Sequence, residues 1–101
     1  MKKALLVGID NYSDPDANLS GCINDVALMH ELLSQHYSFD TITTLKDEQA
    51  TFENIITSLR QLVSDTLPND TILFHYSGHG SQVPDDDNDE NDYLDECLCP
   101  Y

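Results

Sequence analysis

The chain has 101 residues, 40% of them hydrophobic, with 19 acidic against 4 basic side chains and a formal net charge of −15. That length makes one small domain or a part of one, and the apolar share is enough for a core. The charge disfavours nucleic acid and anionic membranes as partners and favours cations and basic polypeptides, and no apolar run approaches the roughly 20 residues that span a bilayer.

The N-terminus reads MKKALLVGID. Its apolar run is short and meets Asp10 instead of a small-residue cleavage site, so it is a first strand over residues 3–9 and not a signal peptide. Continuous apolar strands of this kind are covered on both faces. Three cysteines without a secretion signal point to free thiols in a reducing, cytoplasmic setting. Residues 10–21 hold Asn, Asp, Pro, Ser and Gly and form a loop. From about residue 24 to 36, Val26, Met29 and Leu33, with Leu32 beside them, recur at helical spacing, and Asn24 or Ser20 is placed to cap that helix. Residues 41–45 are short and β-branched, a second strand. Thr51 begins a second helix whose apolar face runs through Phe52, Ile55, Ile56, Leu59, Leu62 and Val63 to Thr66. The turn LPND ends it. A third strand occupies residues 71–76. Strands alternating with helices, β-α-β-α-β, imply a parallel sheet with right-handed crossovers.

The third strand leads into ILFHYSGHGS, where an apolar run stops in a polar turn containing Gly78, His79 and Gly80. The two glycines give the backbone access to conformations closed to other residues, so that His79 is presented at the end of the strand. Histidine is the side chain best suited to moving protons near neutral pH, and ligands of open α/β sheets sit at the carboxyl ends of strands. The plainer alternative is a histidine in a tight surface turn.

The tail, residues 82–101, differs from the rest. Eight of the twelve residues from 85 to 96 are acidic: Asp85, Asp86, Asp87, Asp89, Glu90, Asp92, Asp95 and Glu96. Such a cluster repels itself unless a cation or basic ligand lies within it. Asp85, Asp87, Asp89 and Glu96 match positions of an EF-hand loop, but Glu90 stands where that loop needs glycine, and the prolines Pro84 and Pro100 are poor flanks for paired helices. An EF-hand is therefore rejected. Calcium binding in another geometry stays open beside the plainer reading of a solvated acidic loop.

Taken together and in order, KALLVGID, LSGCINDV, FHYSGHGSQ and DYLDECLCP closely resemble the metacaspases and their bacterial relatives among the caspase-like cysteine peptidases. The pairing of YSGHG with GCxND is much more specific than either segment alone. The resemblance implies an α/β, caspase-hemoglobinase-like three-layer fold with a mainly parallel sheet. This chain would be its N-terminal part, truncated after the third strand, with a β-α-β-α-β core over residues 1–81 and an acidic loop over residues 82–101. It implies an endopeptidase with a Cys–His dyad. His79 matches the family's catalytic histidine, and Gly80 the position whose backbone N–H helps bind the oxyanion. Cys22, Asp25 and Ser77 match residues lining the pocket for the side chain before the cut bond. An aspartate there selects arginine or lysine. Composition agrees independently, because Lys2, Lys3, Lys46 and Arg60 include no convincing anion clamp of the kind that selects acidic side chains. Taken singly, Asp25 reads equally as a first-turn helix acid favoured by the dipole, and Cys22 as a core residue. Many members need calcium, and Asp95 in DECLCP matches one calcium-binding aspartate, with the other ligands further along the chain.

The family's nucleophilic cysteine lies downstream of the histidine in a D-x-C-H-S-G motif, which this sequence does not contain. Cys97 and Cys99 do not stand in such a motif, and Cys22 belongs to the pocket. The chain alone is thus expected to be inactive, a fragment or a subunit whose partner is a second chain carrying the nucleophile. Its third strand would carry an unpaired apolar edge. Two other functions fit the same elements. One is a non-catalytic, caspase-like regulatory or calcium-binding module. The other is a flavodoxin-like phosphate binder, for which the single Gly8 after the first strand supplies too little glycine.

Overall fold

A computed structural model describes residues 1–84 and 94–101. Strand β1 (Lys2–Gly8) is followed by helix α1 (Cys22–His36), β2 (Thr41–Lys46), α2 (Phe52–Ser64) and β3 (Thr71–Ser77). Two further strands, β4 (Gly80–Pro84) and β5 (Leu94–Leu98), lie in the tail.

The three-stranded sheet has the order β2-β1-β3, all parallel. Strand β1 is therefore central, and the uninterrupted apolar run of the sequence is what a strand covered on both faces requires. Ala4 and Leu6 pack with Val26 and Leu33 of α1 on one face. Leu5, Val7 and Ile9 pack with Ala50 and with Ile55 of α2 on the other. The first crossover carries the chain to one side of β1 and the second to the opposite side. Two crossovers of one hand then put their helices on opposite faces, as found. Leu5, Leu6, Val7 and Ile9 are almost wholly buried, each contributing roughly 1.5–3 kcal/mol of apolar transfer. Gly8 is where α1 touches the sheet. A methyl group there would stand 2.6 Å from the Val26 side chain and 2.9 Å from the Cys22 carbonyl.

Several local expectations change. Thr51 caps α2 as expected, its hydroxyl accepting from the Asn54 N–H at 3.2 Å. Neither Asn24 nor Ser20 caps α1, which starts at Cys22 behind Gly21 without a side-chain cap from that residue. On α2, Ile55 is buried while Phe52 and Val63 are exposed, so the apolar stripe is narrower than its spacing suggests. No glycine has positive φ, so the freedom expected of Gly78 and Gly80 is not what places them there. Part of the tail expected as loop forms a hairpin, β4 antiparallel to β5, with Ser81 opposite Cys97 and Val83 opposite Asp95. The EF-hand-like acids from Asp85 to Asp92 lie outside the described residues. Beyond β1, the far side of β3 has no strand partner among the described residues, and Ile72 and Phe74 are exposed on it.

Candidate active site

In a sheet whose first strand is central, the chain leaves β1 toward β2 and returns to the other side as β3. The crevice at the carboxyl ends of β1 and β3 is the switch point where doubly wound folds bind ligands. The residues just after β1, the first turn of α1 and the turn after β3 all converge on it.

One wall is built by Asp10. Its carboxylate accepts the N–H groups of Cys22 at 2.8 Å and Ile23 at 3.2 Å. It thereby caps α1 from outside the helix, at the end where the dipole favours negative charge. Asp10 is itself held from the far side. Asp47, just past β2 with a left-handed backbone (φ 48°), accepts the N–H groups of Asp10 and Asn11 at 2.9 and 3.0 Å. Asp25 lies in the first turn of α1, exposed, and accepts a 2.8 Å hydrogen bond from the Ser77 hydroxyl at the end of β3. Cys22 is buried beside them. Burial pushes its thiol above the ordinary value, a hydrogen bond with Ser77 acts the other way, and the Asp10 and Asp25 carboxylates push it further up. Cys22 is thus poorly suited to be a thiolate nucleophile.

The other wall is the turn after β3. His79 Nε2 lies 2.6 Å from the Ala17 carbonyl, which a 3-10 turn over Pro15–Ala17 presents. A carbonyl can only accept, so Nε2 carries a proton, and in the neutral ring Nδ1 is the nitrogen with the lone pair. The His79 N–H donates to the Tyr12 hydroxyl at 2.8 Å, and the two rings stack at a tilt of 47° with centroids 5.1 Å apart. The Tyr12 hydroxyl in turn donates to the Cys99 carbonyl at 3.0 Å. The Tyr76 hydroxyl lies 2.7 Å from the His79 carbonyl, 2.8 Å from the Cys99 carbonyl and 3.2 Å from the Cys99 N–H. Its removal from water raises the Tyr76 pKa, as does its contact with Tyr12. Gly78 must be glycine for lack of room, since a Cβ would stand 2.7 Å from one hydroxyl and 2.9 Å from the other.

Cys99 also donates to the His79 carbonyl at 2.9 Å. This makes Gly80 and Leu98 the next, non-hydrogen-bonded pair of the hairpin, with the Gly80 N–H directed away from β5.

The structure therefore brings together Asp25, Ser77 and Cys22 on one wall and holds His79 and Gly80 on the other. Asp95 lies on β5 opposite Val83. Among the described residues, no three His, Cys, Asp or Glu side chains stand together in a way that would hold a metal ion. Sequence reasoning missed Asp10, Tyr12, Ala17, Tyr76 and Cys99. The one available hint was an isolated aromatic, Tyr12, in an otherwise polar loop.

The chain matches the metacaspase, peptidase C14 domain family over residues 2–101. It is 47% identical to metacaspase-1 of Debaryomyces hansenii over 107 aligned positions, covering 98% of this chain and 24% of that protein. It is 44% identical to metacaspase-1A of Aspergillus niger, covering 98% and 26%, and 46% identical to metacaspase-1 of Schizosaccharomyces pombe, covering 98% and 25%. A crystal structure of a protein from Geobacter sulfurreducens superposes with a TM-score of 0.80 at 31% identity, over 98% of this chain and 39% of that one. The fold and the comparisons thus define an α/β domain of the caspase-like class. The chain belongs to the metacaspase family, and it spans about a quarter of the length of the curated relatives it matches. No helix among the described residues is long and apolar enough to cross a membrane.

Proposed function

We propose that this chain is the histidine-bearing part of a metacaspase-type cysteine endopeptidase that cleaves after arginine or lysine. The observation that carries the reading is the hydrogen bond that orients His79. Nε2–H is held by the Ala17 carbonyl, so Nδ1 is the nitrogen left to exchange a proton, and the Asp25–Ser77 pair stands at the end of the same strand. In the proposed reaction, Nδ1 takes the proton of a cysteine thiol as the sulfur adds to the scissile carbonyl, and then gives it to the departing amine. Water hydrolyses the resulting thioester, with the same nitrogen as base. The Gly80 N–H, directed away from β5, donates to the oxyanion. The Asp25 carboxylate, oriented by Ser77 with Cys22 alongside, receives the cationic side chain of the substrate. The net charge of −15 favours approach of basic polypeptides.

The nucleophile is assigned to a cysteine elsewhere in the natural protein or on a second chain. Calcium enters the proposal only as an activator for which Asp95 would be one ligand, and no step above depends on it. The free thiols of Cys22, Cys97 and Cys99 suit a reducing, cytoplasmic setting. A regulatory, non-catalytic module is the second reading. It is favoured by the state of the buried Cys22, whose thiol is pushed up by burial and is paired with Ser77 and Asp10.

The test is cleavage of fluorogenic peptides ending in arginine, lysine or aspartate by the natural protein, with and without calcium, compared with its His79→Ala variant. Basic-specific cleavage that falls by roughly 100- to 10,000-fold in the variant supports the peptidase reading. Equal cleavage by the variant, or no cleavage of any peptide with the natural cysteines reduced and calcium present, removes it.

A further inference from the structure

The hairpin ladder is irregular where it meets His79. Cys99 donates its N–H to the His79 carbonyl at 2.9 Å, so a regular antiparallel pair would return the bond from the His79 N–H to the Cys99 carbonyl. That return bond is replaced. The Tyr12 hydroxyl stands in the gap, accepting from the His79 N–H at 2.8 Å and donating to the Cys99 carbonyl at 3.0 Å. One donor and one acceptor are used, which is what a phenol hydroxyl offers. The ring of Tyr12 meanwhile lies against the imidazole, and its backbone N–H is fixed by Asn18 Oδ1 at 2.9 Å. The loop that supplies Tyr12 also supplies Ala17, whose carbonyl holds His79 Nε2. A single loop therefore sets the backbone, the ring plane and the tautomer of His79.

We propose that Tyr12 is a positioning residue for His79, its hydroxyl inserted into the β4–β5 ladder so that the imidazole is held one hydroxyl's width away from where a regular hairpin would put it. Tyr76 braces the same point. Its hydroxyl touches the His79 and Cys99 backbones and lies 3.4 Å from that of Tyr12. Gly78 lacks a side chain because the two hydroxyls occupy its space. The consequence for the reaction rests on the reading of His79 as the base. The clamp itself does not.

The wild-type natural protein, labelled with 15N-histidine, is measured first by NMR. A proton on His79 Nε2, a slowly exchanging His79 amide and a nuclear Overhauser contact from that amide to the Tyr12 hydroxyl are expected. A fast-exchanging amide without that contact overturns the clamp. Tyr12→Phe keeps the ring and removes the hydroxyl. It should move the His79 amide and imidazole resonances and lower kcat by roughly 10- to 100-fold with little change in KM. Unchanged resonances and kcat overturn the proposal. If Tyr12→Phe does not fold, Tyr76→Phe is judged by the same readouts. A His79→Ala variant that still cleaves would remove His79 as base while leaving the resonance test of the clamp intact, so the two failures are separable.

Discussion

The two walls of the crevice are made of different chemistry. The α1 wall is anionic, with the Asp10 and Asp25 carboxylates placed at a helix N-terminus and steadied by Ser77 and by the helix N–H groups. The β3 wall is neutral, and among the described residues the His79 ring and N–H are held by a carbonyl, an aromatic ring and a hydroxyl. A carboxylate touching an imidazole would favour the protonated ring and take its lone pair out of use. Negative charge is therefore concentrated where a cationic side chain would be bound and kept away from the group that would move protons. The two walls meet at the end of β3, where Ser77 turns to one and His79, two residues later, to the other, and in the loop after β1, where Asp10 serves one and Tyr12 and Ala17 the other.

After the loss of His79 itself, the largest expected effect breaks the anionic wall. Asp25→Asn keeps an acceptor for the Ser77 hydroxyl but removes the charge. If Asp25 receives the substrate cation, kcat/KM on arginine peptides falls by roughly 30- to 1,000-fold, in the range for removing one partner of a desolvated charge pair. Stability drops by no more than about 1 kcal/mol, the value of an acid in a helix first turn. A loss of stability with kcat/KM unchanged would reduce Asp25 to a dipole-compensating residue.

The residues of the two walls were nominated by different routes. His79 was read from its own surroundings, an apolar strand that stops in a glycine-punctuated turn, whereas Asp25, Cys22 and Ser77 were nominated by the resemblance of GCxND and YSGHG to a family's motifs. Asp10, which caps α1, precedes Cys22 by twelve residues and cannot be tied to it by helical spacing. The neutral wall depends on still longer reach, with Tyr12 bonded across 67 residues to His79 and across 87 to Cys99. The core of the fold was plain, because β1 is apolar from Ala4 onward and Val26, Met29 and Leu33 repeat at helical spacing. The glycines misled for a physical reason. A sequence shows that a glycine is present but not whether it serves a torsion angle or an empty volume. At Gly78 it is the volume, defined by two hydroxyls from elsewhere in the chain.

That distinction gives the intermediate effect, which breaks the neutral wall. Gly78→Ala would place a methyl 2.7 Å from the Tyr76 hydroxyl and 2.9 Å from that of Tyr12. Both phenols are fixed by backbone hydrogen bonds and cannot swing aside. A loss of about 1–3 kcal/mol is expected, as for overpacking elsewhere, measured by chemical denaturation. The same change at Gly80, whose nearest neighbour is the Cys97 carbonyl at 3.4 Å, should cost much less. Equal losses at the two positions would return the explanation to backbone conformation.

The smallest effect concerns the strand that joins the walls. His75 alternates with Leu73 and Ser77 along β3, and Leu73 packs into the cluster beneath α1. The His75 Nε2 is buried and has no hydrogen-bond partner among the described residues. A buried polar atom left unpaired costs about 1–3 kcal/mol, and replacing it with an apolar group of similar size is close to neutral or favourable. His75→Leu should therefore change stability by less than about 0.5 kcal/mol or raise it, in contrast to the loss at Gly78 three residues away. A fall of more than about 2 kcal/mol in the natural protein would mean that Nε2 is hydrogen-bonded there. The open edge of β3 would then be the place to look for the donor or acceptor, because the partner strand and both helices described here do not supply one.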